Sequence, residues 1–250
     1  MSSGALLTAG LRKEWALSTV CGIAVLSAST LFQPSSLSAS LLVWAWCSWH
    51  LYRALPENRR NEETTLFATL GSPTHLTMVR GLLISVAAGF LLEPAVSAPA
   101  YSLAALLDHT DGRLARCQKR ETRLGSRLDM EIDAVGVLVA SLAGIGMGKL
   151  PPWYLAIGLA RYLFVLGIEW RRRFGESSVR ELDPSRLRRL LAGFQMGFLA
   201  VMLWPPIPAA VSRNAAYAFG GATLLMFARD WLIVSSRKRS IFAIESSHRG

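Results

Sequence analysis

The residues of this 250-residue chain best placed to do chemistry lie between Asp108 and Asp133. Asp108 and Asp111 are three apart, Asp129 and Asp133 four apart, so on helices each spacing puts two carboxylates on one face. A helix from near Pro94 through Asp108 to about Arg116, and a second starting near Gly125, would set the two pairs against each other across a helical hairpin. At ~1.5 Å rise per residue, Asp111 and Asp108 lie roughly 8 and 12 Å inward of Arg116, and Asp129 and Asp133 roughly 3 and 9 Å inward of Arg127, so the pairs share a layer. Glu121 falls in the intervening loop and Glu131 points away from the Asp129 face, so neither joins them. Four carboxylates beside apolar walls cannot all stay ionised without a cation, because like charge and lost hydration both oppose the charged form. Arginines would serve. Hard oxygen ligands in two pairs also suit Mg²⁺ or Mn²⁺, and four of them can hold two ions about 3.5 to 4 Å apart, an arrangement suited to phosphoryl chemistry.

Gly112, Ala115 and Arg116 continue the stripe of Asp108 and Asp111. Two readings of the small residues stand at this point: they let a ligand approach the backbone, or they let helices pack tightly. Arg116 has a ready role on a phosphate, or serves as a topological charge.

The elements that must carry these residues are membrane helices. The chain is 52% hydrophobic and 18% charged, with a mean hydropathy of +0.33. Apolar runs recur at roughly 17 to 20 residues, the length a helix needs to cross about 30 Å of hydrocarbon. Eight are expected, near Trp15 to Phe32, Leu37 to Tyr52, His75 to Leu92, Pro94 to Leu114, Leu128 to Met147, Pro152 to Trp170, Leu187 to Trp204 and Ala209 to Val234. The fold class is therefore all-α: a polytopic membrane protein with a six-helix transmembrane core and an extra N-terminal two-helix hairpin. The expected division is a hairpin over 1–55, a cytoplasmic linker or surface segment over 56–73, the core over 74–236 and a basic cytoplasmic tail over 237–250.

The formal charge of +10 raises the question of nucleic acid, and its distribution answers it. Among the Lys and Arg, only Lys149 and Arg213 fall toward the opposite side, and Arg80, Arg161 and Arg229 lie well inside apolar runs. The rest lie on one side, which the positive-inside rule makes cytoplasmic, together with both termini and the acid-bearing hairpin. The basic stretch Arg171 to Arg189 serves topology and anionic headgroups, and nucleic acid is not an expected partner. A cleaved signal peptide is not expected either, since a second apolar run follows the first within a few residues. Cys21, Cys47 and Cys117 lack metal-ligand spacing and read as reduced fillers. Tryptophans near helix ends form an aromatic belt.

The pattern Asp108-x2-Asp111-Gly112-x2-Ala115-Arg116-x8-Gly125-x3-Asp129-x3-Asp133 resembles the signature of the CDP-alcohol phosphotransferase family at every fixed position. The resemblance extends over the six-helix remainder, about His75 to Val234. It implies transfer of a substituted phosphate from a CDP-alcohol to the hydroxyl of a second alcohol, with release of CMP, inside an intramembrane six-helix bundle that dimerises. It also implies two ions, Mg²⁺ or Mn²⁺, on Asp108, Asp111, Asp129 and Asp133. Asp108 and Asp129 would bridge both, Asp111 would complete one site, and Asp133 would touch the second while acting as proton acceptor. Gly112, Arg116 and Thr122 match positions that hold the CDP part, flanked by Ala115 and Gly125. Upstream, Pro73 to Arg80 resembles the segment preceding the family's first core helix. Thr77 and Arg80 match there, while Thr74 replaces the usual Asn and leaves a hydroxyl to do an amide's work. CDP-diacylglycerol is the expected donor because its acyl chains can stay in lipid, with a soluble CDP-alcohol as the alternative. The acceptor alcohol is left open, a phosphorylated one being suggested by the basic residues near the mouth.

Arg161, deep in an apolar run, is expected to face the bundle, either as a contact for an acceptor phosphate or as a partner for a bundle acid. Arg229 and Asp230 mark a helix end or a structural pair, with Glu169 and Asp183 as other surface partners, and His109 is a bystander. Two rival classes remain. A divalent-cation transporter could also gather four aspartates, though it needs a path through both leaflets, and a catalytically silent scaffold would not need the acids intact.

Overall fold

The computed structural model describes residues 3–29, 31, 36–60, 63, 65–174 and 186–235. Each apolar run becomes a helix, since a helix satisfies its backbone polar groups internally wherever side chains are too apolar to bring water with them. The eight helices among the described residues are α1 (Ser3–Ser29), α2 (Leu37–Ala54), α3 (Gly71–Gly89), α4 (Pro94–Cys117), α5 (Arg123–Gly146), α6 (Leu155–Arg173), α7 (Arg186–Met202) and α8 (Ala209–Ser235). The expected all-α class holds. Residues 175–185 of the basic loop, with Arg180 and Asp183, and the stretch from 236, with the basic tail 237–250, lie outside the described residues.

Two starts differ from expectation. Helix α1 begins at Ser3 rather than near Trp15, because hydropathy marks only the apolar part of a helix whose first turns carry Arg12, Lys13 and Glu14. Helix α3 begins at Gly71, so Pro73 to Arg80 forms its first turns rather than a lead-in to it. Proline is tolerated there because the first turn's N–H groups have no helical partner. Among the described residues, two stretches are long and apolar enough to cross a membrane, Pro152–Arg171 and Ala209–Ser235, with a shorter apolar helix at Leu190–Met202. The other helices dilute their apolar runs with charge, Arg80 in α3 and the aspartates in α4 and α5 among it.

Helices α3, α4 and α5 pack on one another, α7 lies against α4 and α5, and α6 and α8 close the far side. Helix α2 packs on α3 and α5, and α1 on α2. Tryptophan N–H donors tie the hairpin together: Trp15 Nε1 donates to the Ser48 carbonyl at 2.9 Å and Trp44 Nε1 to the Thr19 carbonyl at 3.0 Å. One apolar core runs through all of this, from Leu11 and Leu51 through Leu128 and Ile132 to Tyr154 and Leu199.

The α4–α5 hairpin is built by its own ends. Thr122 is extended and its Oγ1 accepts from the Gly125 N–H at 2.9 Å, capping α5. Helix α4 closes with Arg120 N–H on the Ala115 carbonyl and Lys119 N–H on the Arg116 carbonyl, a Schellman ending with Lys119 in the left-handed region (φ 50°) where glycine is usual.

Candidate active site

The structure brings the four aspartates together. Helix α4 presents Asp108 and Asp111, α5 presents Asp129 and Asp133, and all four converge on the guanidinium of Arg80 from α3. Its Nη1 lies 2.8 Å from Asp111 Oδ2 and 2.6 Å from Asp129 Oδ1, and its Nη2 lies 2.8 Å from Asp108 Oδ1 and bonds Asp133 Oδ1. Arg80 is 1% exposed. Thr77, one helical turn before it, donates to Asp111 Oδ2 at 3.1 Å. Arg80 was expected among the nucleotide contacts. It stands at the centre of the acid cluster, because three residues on α3 carry it one turn deeper than Thr77 and its long side chain reaches both acidic helices.

The donor set fits divalent ions. Oxygens of Asp108, Asp111 and Asp129 lie within 4.8 Å of one another, all hard carboxylate ligands. One guanidinium leaves most of the charge of four carboxylates uncompensated, and Arg80 Nε is buried with no acceptor among the described residues. A single arginine is thus an incomplete counterion for this cluster.

Two cavities flank the acids. The first, about 190 Å³, is polar and lies between the starts of α3 and α5 and the end of α4. It is lined by Thr74, Thr77, Gly112, Ala115, Arg116, Thr122 and Gly125, with Asp111 and Asp129 at its inner end. Every expected nucleotide contact except Arg80 therefore reaches one cavity. Gly112 has open space beside it. A Cβ there would meet only the flexible end of Arg116, at 3.5 Å, so no helix packs on this glycine and its bare backbone opens into the cavity. Arg120, Glu121 and Ser126 line the same space. Sequence reasoning left Arg120 as one of the cations on the cytoplasmic side and Glu121 in the loop, because the Schellman turn that folds both back toward the cavity depends on a left-handed Lys119.

The second cavity, about 460 Å³, is largely apolar and lies among α5, α6, α7 and α8. Asp133 opens onto it together with Arg161, Asp230, Gln195 and Thr223. Arg161 Nη2 is paired with Glu131 Oε1 at 2.9 Å, so the acid that points away from the cluster is the one that holds this arginine. Gln195, 4% exposed, bonds Tyr154 through Nε2 and accepts from Thr223 Oγ1 at 3.2 Å. Tyr101 of α4 is buried, its hydroxyl meets no partner among the described residues, and it lines a narrow cleft with Arg80 and Asp133. Sequence reasoning did not single out Gln195, Thr223, Tyr154 or Tyr101. Gln195 and Thr223 share a cavity with Asp133, Tyr101 shares a cleft with it, and Tyr154 joins them through Gln195, all by tertiary packing alone.

Comparison with known proteins agrees with this geometry. The model of the CDP-alcohol phosphatidyltransferase family matches residues 70–234, which contain α3 to α7, all of α8 but its last residue, and all four aspartates. A CDP-diacylglycerol--glycerol-3-phosphate 3-phosphatidyltransferase of Yersinia enterocolitica is 31% identical over 147 residues, covering 55% of this chain and 79% of the relative. The enzyme of that name from Salmonella choleraesuis is 31% identical over 144 residues, covering 54% and 77%. No solved structure matches the chain significantly. The chain belongs to the CDP-alcohol phosphatidyltransferase family and is a CDP-alcohol phosphotransferase. The transporter and silent-scaffold readings find no support in this match. The family model leaves α1, α2 and most of the following connection outside it.

Proposed function

We propose that this chain is an integral membrane enzyme of phospholipid synthesis that transfers a phosphatidyl group from CDP-diacylglycerol to the hydroxyl of an alcohol and releases CMP. The observation that carries this reading is the position of Asp129 and Asp133, one turn apart on α5: the first opens onto the polar cavity and the second onto the apolar one. A phosphate held between them would be reached by a nucleotide from one side and by an alcohol from the other.

Two ions, Mg²⁺ or Mn²⁺, would be held by Asp108, Asp111, Asp129 and Asp133. When bound, they supply a clamp on phosphate oxygens and offset the charge developing on the leaving group. The chain's own groups do the rest. Gly112 and Ala115 admit the nucleotide against the α4 backbone, Arg116 offers a fixed cation to its phosphates, and the Thr74 and Thr77 hydroxyls face the same space. Asp133 accepts the proton of the attacking hydroxyl as the new oxygen–phosphorus bond forms. The bond from phosphorus to the CMP oxygen breaks, and CMP departs with that electron pair.

The outward surface favours a bilayer setting for α1, α2, α4, α6 and α8, and the distribution of Lys and Arg favours a cytoplasmic side for the acid-bearing hairpin. Leu17, Leu42, Leu106, Leu166, Leu225 and Leu232 project outward, each more than 60% exposed, while Arg80 and Asp111 are inside. Acyl chains of the donor can then remain in lipid. The names of the relatives make glycerol 3-phosphate the first acceptor to test, and Arg161 is the cation at the rim of the cavity it would enter. The test is Mg²⁺- or Mn²⁺-dependent CMP release from CDP-diacylglycerol by purified protein across a panel of alcohols, with Asp133→Asn alongside. CMP formation with one acceptor, abolished by chelation and by Asp133→Asn, is the expected outcome. Absence of CMP from every CDP-alcohol tried would overturn the reading.

A further inference from the structure

The part of the chain outside the family match is bonded to the frame of the polar cavity at several independent points. Helix α3, whose first turns supply Thr74 and Thr77 to that cavity, has no side-chain cap of its own. Glu14 of α1 supplies one: its Oε2 accepts from the N–H of Leu70, the residue preceding α3, at 2.8 Å, and lies 3.6 Å from His75 Nε2. A carboxylate there meets the positive end of the helix dipole and a backbone donor in a partly buried place.

The connection from α2 to α3 continues this bracing onto the opposite wall. Glu57 Oε1 pairs with Arg127 of α5 at 2.6 Å. The Arg59 carbonyl accepts from the Arg123 N–H at 3.0 Å, and Arg60 Nη2 donates to the Lys119 carbonyl at 2.8 Å. Both ends of the α4–α5 turn that carries Arg120 and Thr122 are thereby held from outside the family core. Arg120 Nη2 reaches back to Thr69 Oγ1 at 2.7 Å, with its guanidinium over the Phe67 ring. Asn58, fully buried, knits the connection to itself by donating to the carbonyls of Phe67 and Thr69. Gly71 is required at this junction: its φ is +81°, and a Cβ would run into Arg120.

We infer that the N-terminal hairpin and its connection act as a clamp that fixes the two walls of the nucleotide cavity, with Glu14 and Arg60 as positioning residues for donor binding. The inference rests on the reading of the polar cavity as the nucleotide site. Neither side chain lines that cavity, so their effect runs through α3 and through the α4–α5 turn. Loosening either wall weakens the grip on the nucleotide and leaves the acids and Asp133 where they are.

The test uses the full chain in detergent or vesicles, comparing Glu14→Gln, Glu14→Asp and Arg60→Ala with the unmodified protein. Two readouts are taken: steady-state CMP release with varied CDP-diacylglycerol, and direct binding of CDP in the presence of Mg²⁺. Glu14→Gln is expected to raise both the donor KM and the CDP dissociation constant about fivefold, the scale of a lost helix cap, with kcat within about twofold and the acceptor KM unmoved. Glu14→Asp restores most of the loss. Arg60→Ala reproduces the pattern without touching the hairpin, which keeps the inference testable should a Glu14 variant fail to fold. Unchanged CDP affinity in folded Glu14→Gln and Arg60→Ala would overturn it, as would a fall in kcat with donor KM unaltered. If the unmodified protein releases no CMP, the functional reading itself fails. Turnover by that protein with indifferent variants sinks the clamp alone.

Discussion

The two cavities beside α5 differ in a way that separates what makes this chain a family member from what must make it selective. The polar cavity is built from residues fixed in sequence spacing: Gly112, Ala115 and Arg116 on one helix, Thr122 and Gly125 on the next, and Thr74 and Thr77 on a third. The apolar cavity is built from four helices that contribute one or two polar side chains each, and among these Arg161 is held by Glu131 while Gln195 and Thr223 hold each other. On the proposed function the polar cavity takes the nucleotide, whose recognition needs the same donors in the same place. An acceptor that varies needs only a shaped apolar wall and a few polar groups.

The largest effect tests the point where the cavities meet. Asp133→Asn keeps the shape of the side chain and removes its ability to take a proton, so CMP release is expected to fall by at least about 100-fold while CDP binding in the polar cavity is retained. A parallel loss of CDP affinity would show that the two cavities are not functionally distinct. Next comes the shared cation. Arg80→Ala leaves four aspartates with no counterion among the described residues, and removing one partner from a buried ion cluster costs about 3 to 5 kcal/mol. The variant is expected to unfold well below the unmodified protein in metal-free buffer and to recover much of the difference when Mg²⁺ or Mn²⁺ is added. Thermal unfolding with and without chelator measures this. A deficit that metal does not reduce would argue against these carboxylates as the metal site.

The contrast also explains how much of the molecule was legible. The acid-bearing hairpin was readable because helical periodicity converts spacing into facing, and Thr122 and Gly125 carry a cap that needs only local chain. Helix count and order followed from apolar run lengths. The pairing of Arg80 with all four acids was not legible because it depends on how α3 crosses α4 and α5, a tertiary fact that no local spacing encodes. Gln195, Tyr154 and Thr223 were invisible for the same reason, being scattered over α7, α8 and the turn before α6 and drawn together only by packing. The early start of α1 escaped because hydropathy reports burial in an apolar medium, and a helix can extend past that medium on polar residues.

Within the polar cavity, Gly112→Ala separates affinity from stability. The added methyl meets only the tip of Arg116, and alanine gains about 0.5 to 1 kcal/mol over glycine inside a helix. The protein is expected to melt no lower than the unmodified one while its donor KM rises about tenfold through lost room at the α4 backbone. An unchanged donor KM would mean the nucleotide does not approach that backbone. Within the apolar cavity, Gln195→Leu removes the polar centre shared by Tyr154 and Thr223. It is expected to raise the acceptor KM about threefold to tenfold, the scale of one hydrogen bond, and to leave the donor KM in place. A shift in donor KM of equal size would erase the division of labour drawn here.

The smallest change falls between the cavities. Tyr101 is buried beside Arg80 and Asp133 with its hydroxyl unpartnered among the described residues. A buried hydroxyl without a partner costs stability, so Tyr101→Phe is expected to leave the melting temperature unchanged or raise it slightly, by the equivalent of about 1 kcal/mol. If the hydroxyl is kept for a purpose, it is to donate toward Asp133 or the phosphate once substrates enter, and then kcat falls severalfold while both KM values hold. If kcat does not move, Tyr101 is a wall of the site that could as well be phenylalanine. Melting temperature and kcat measured on this one variant therefore show whether the tyrosine belongs to the chemistry shared by the two cavities or only to the packing that separates them.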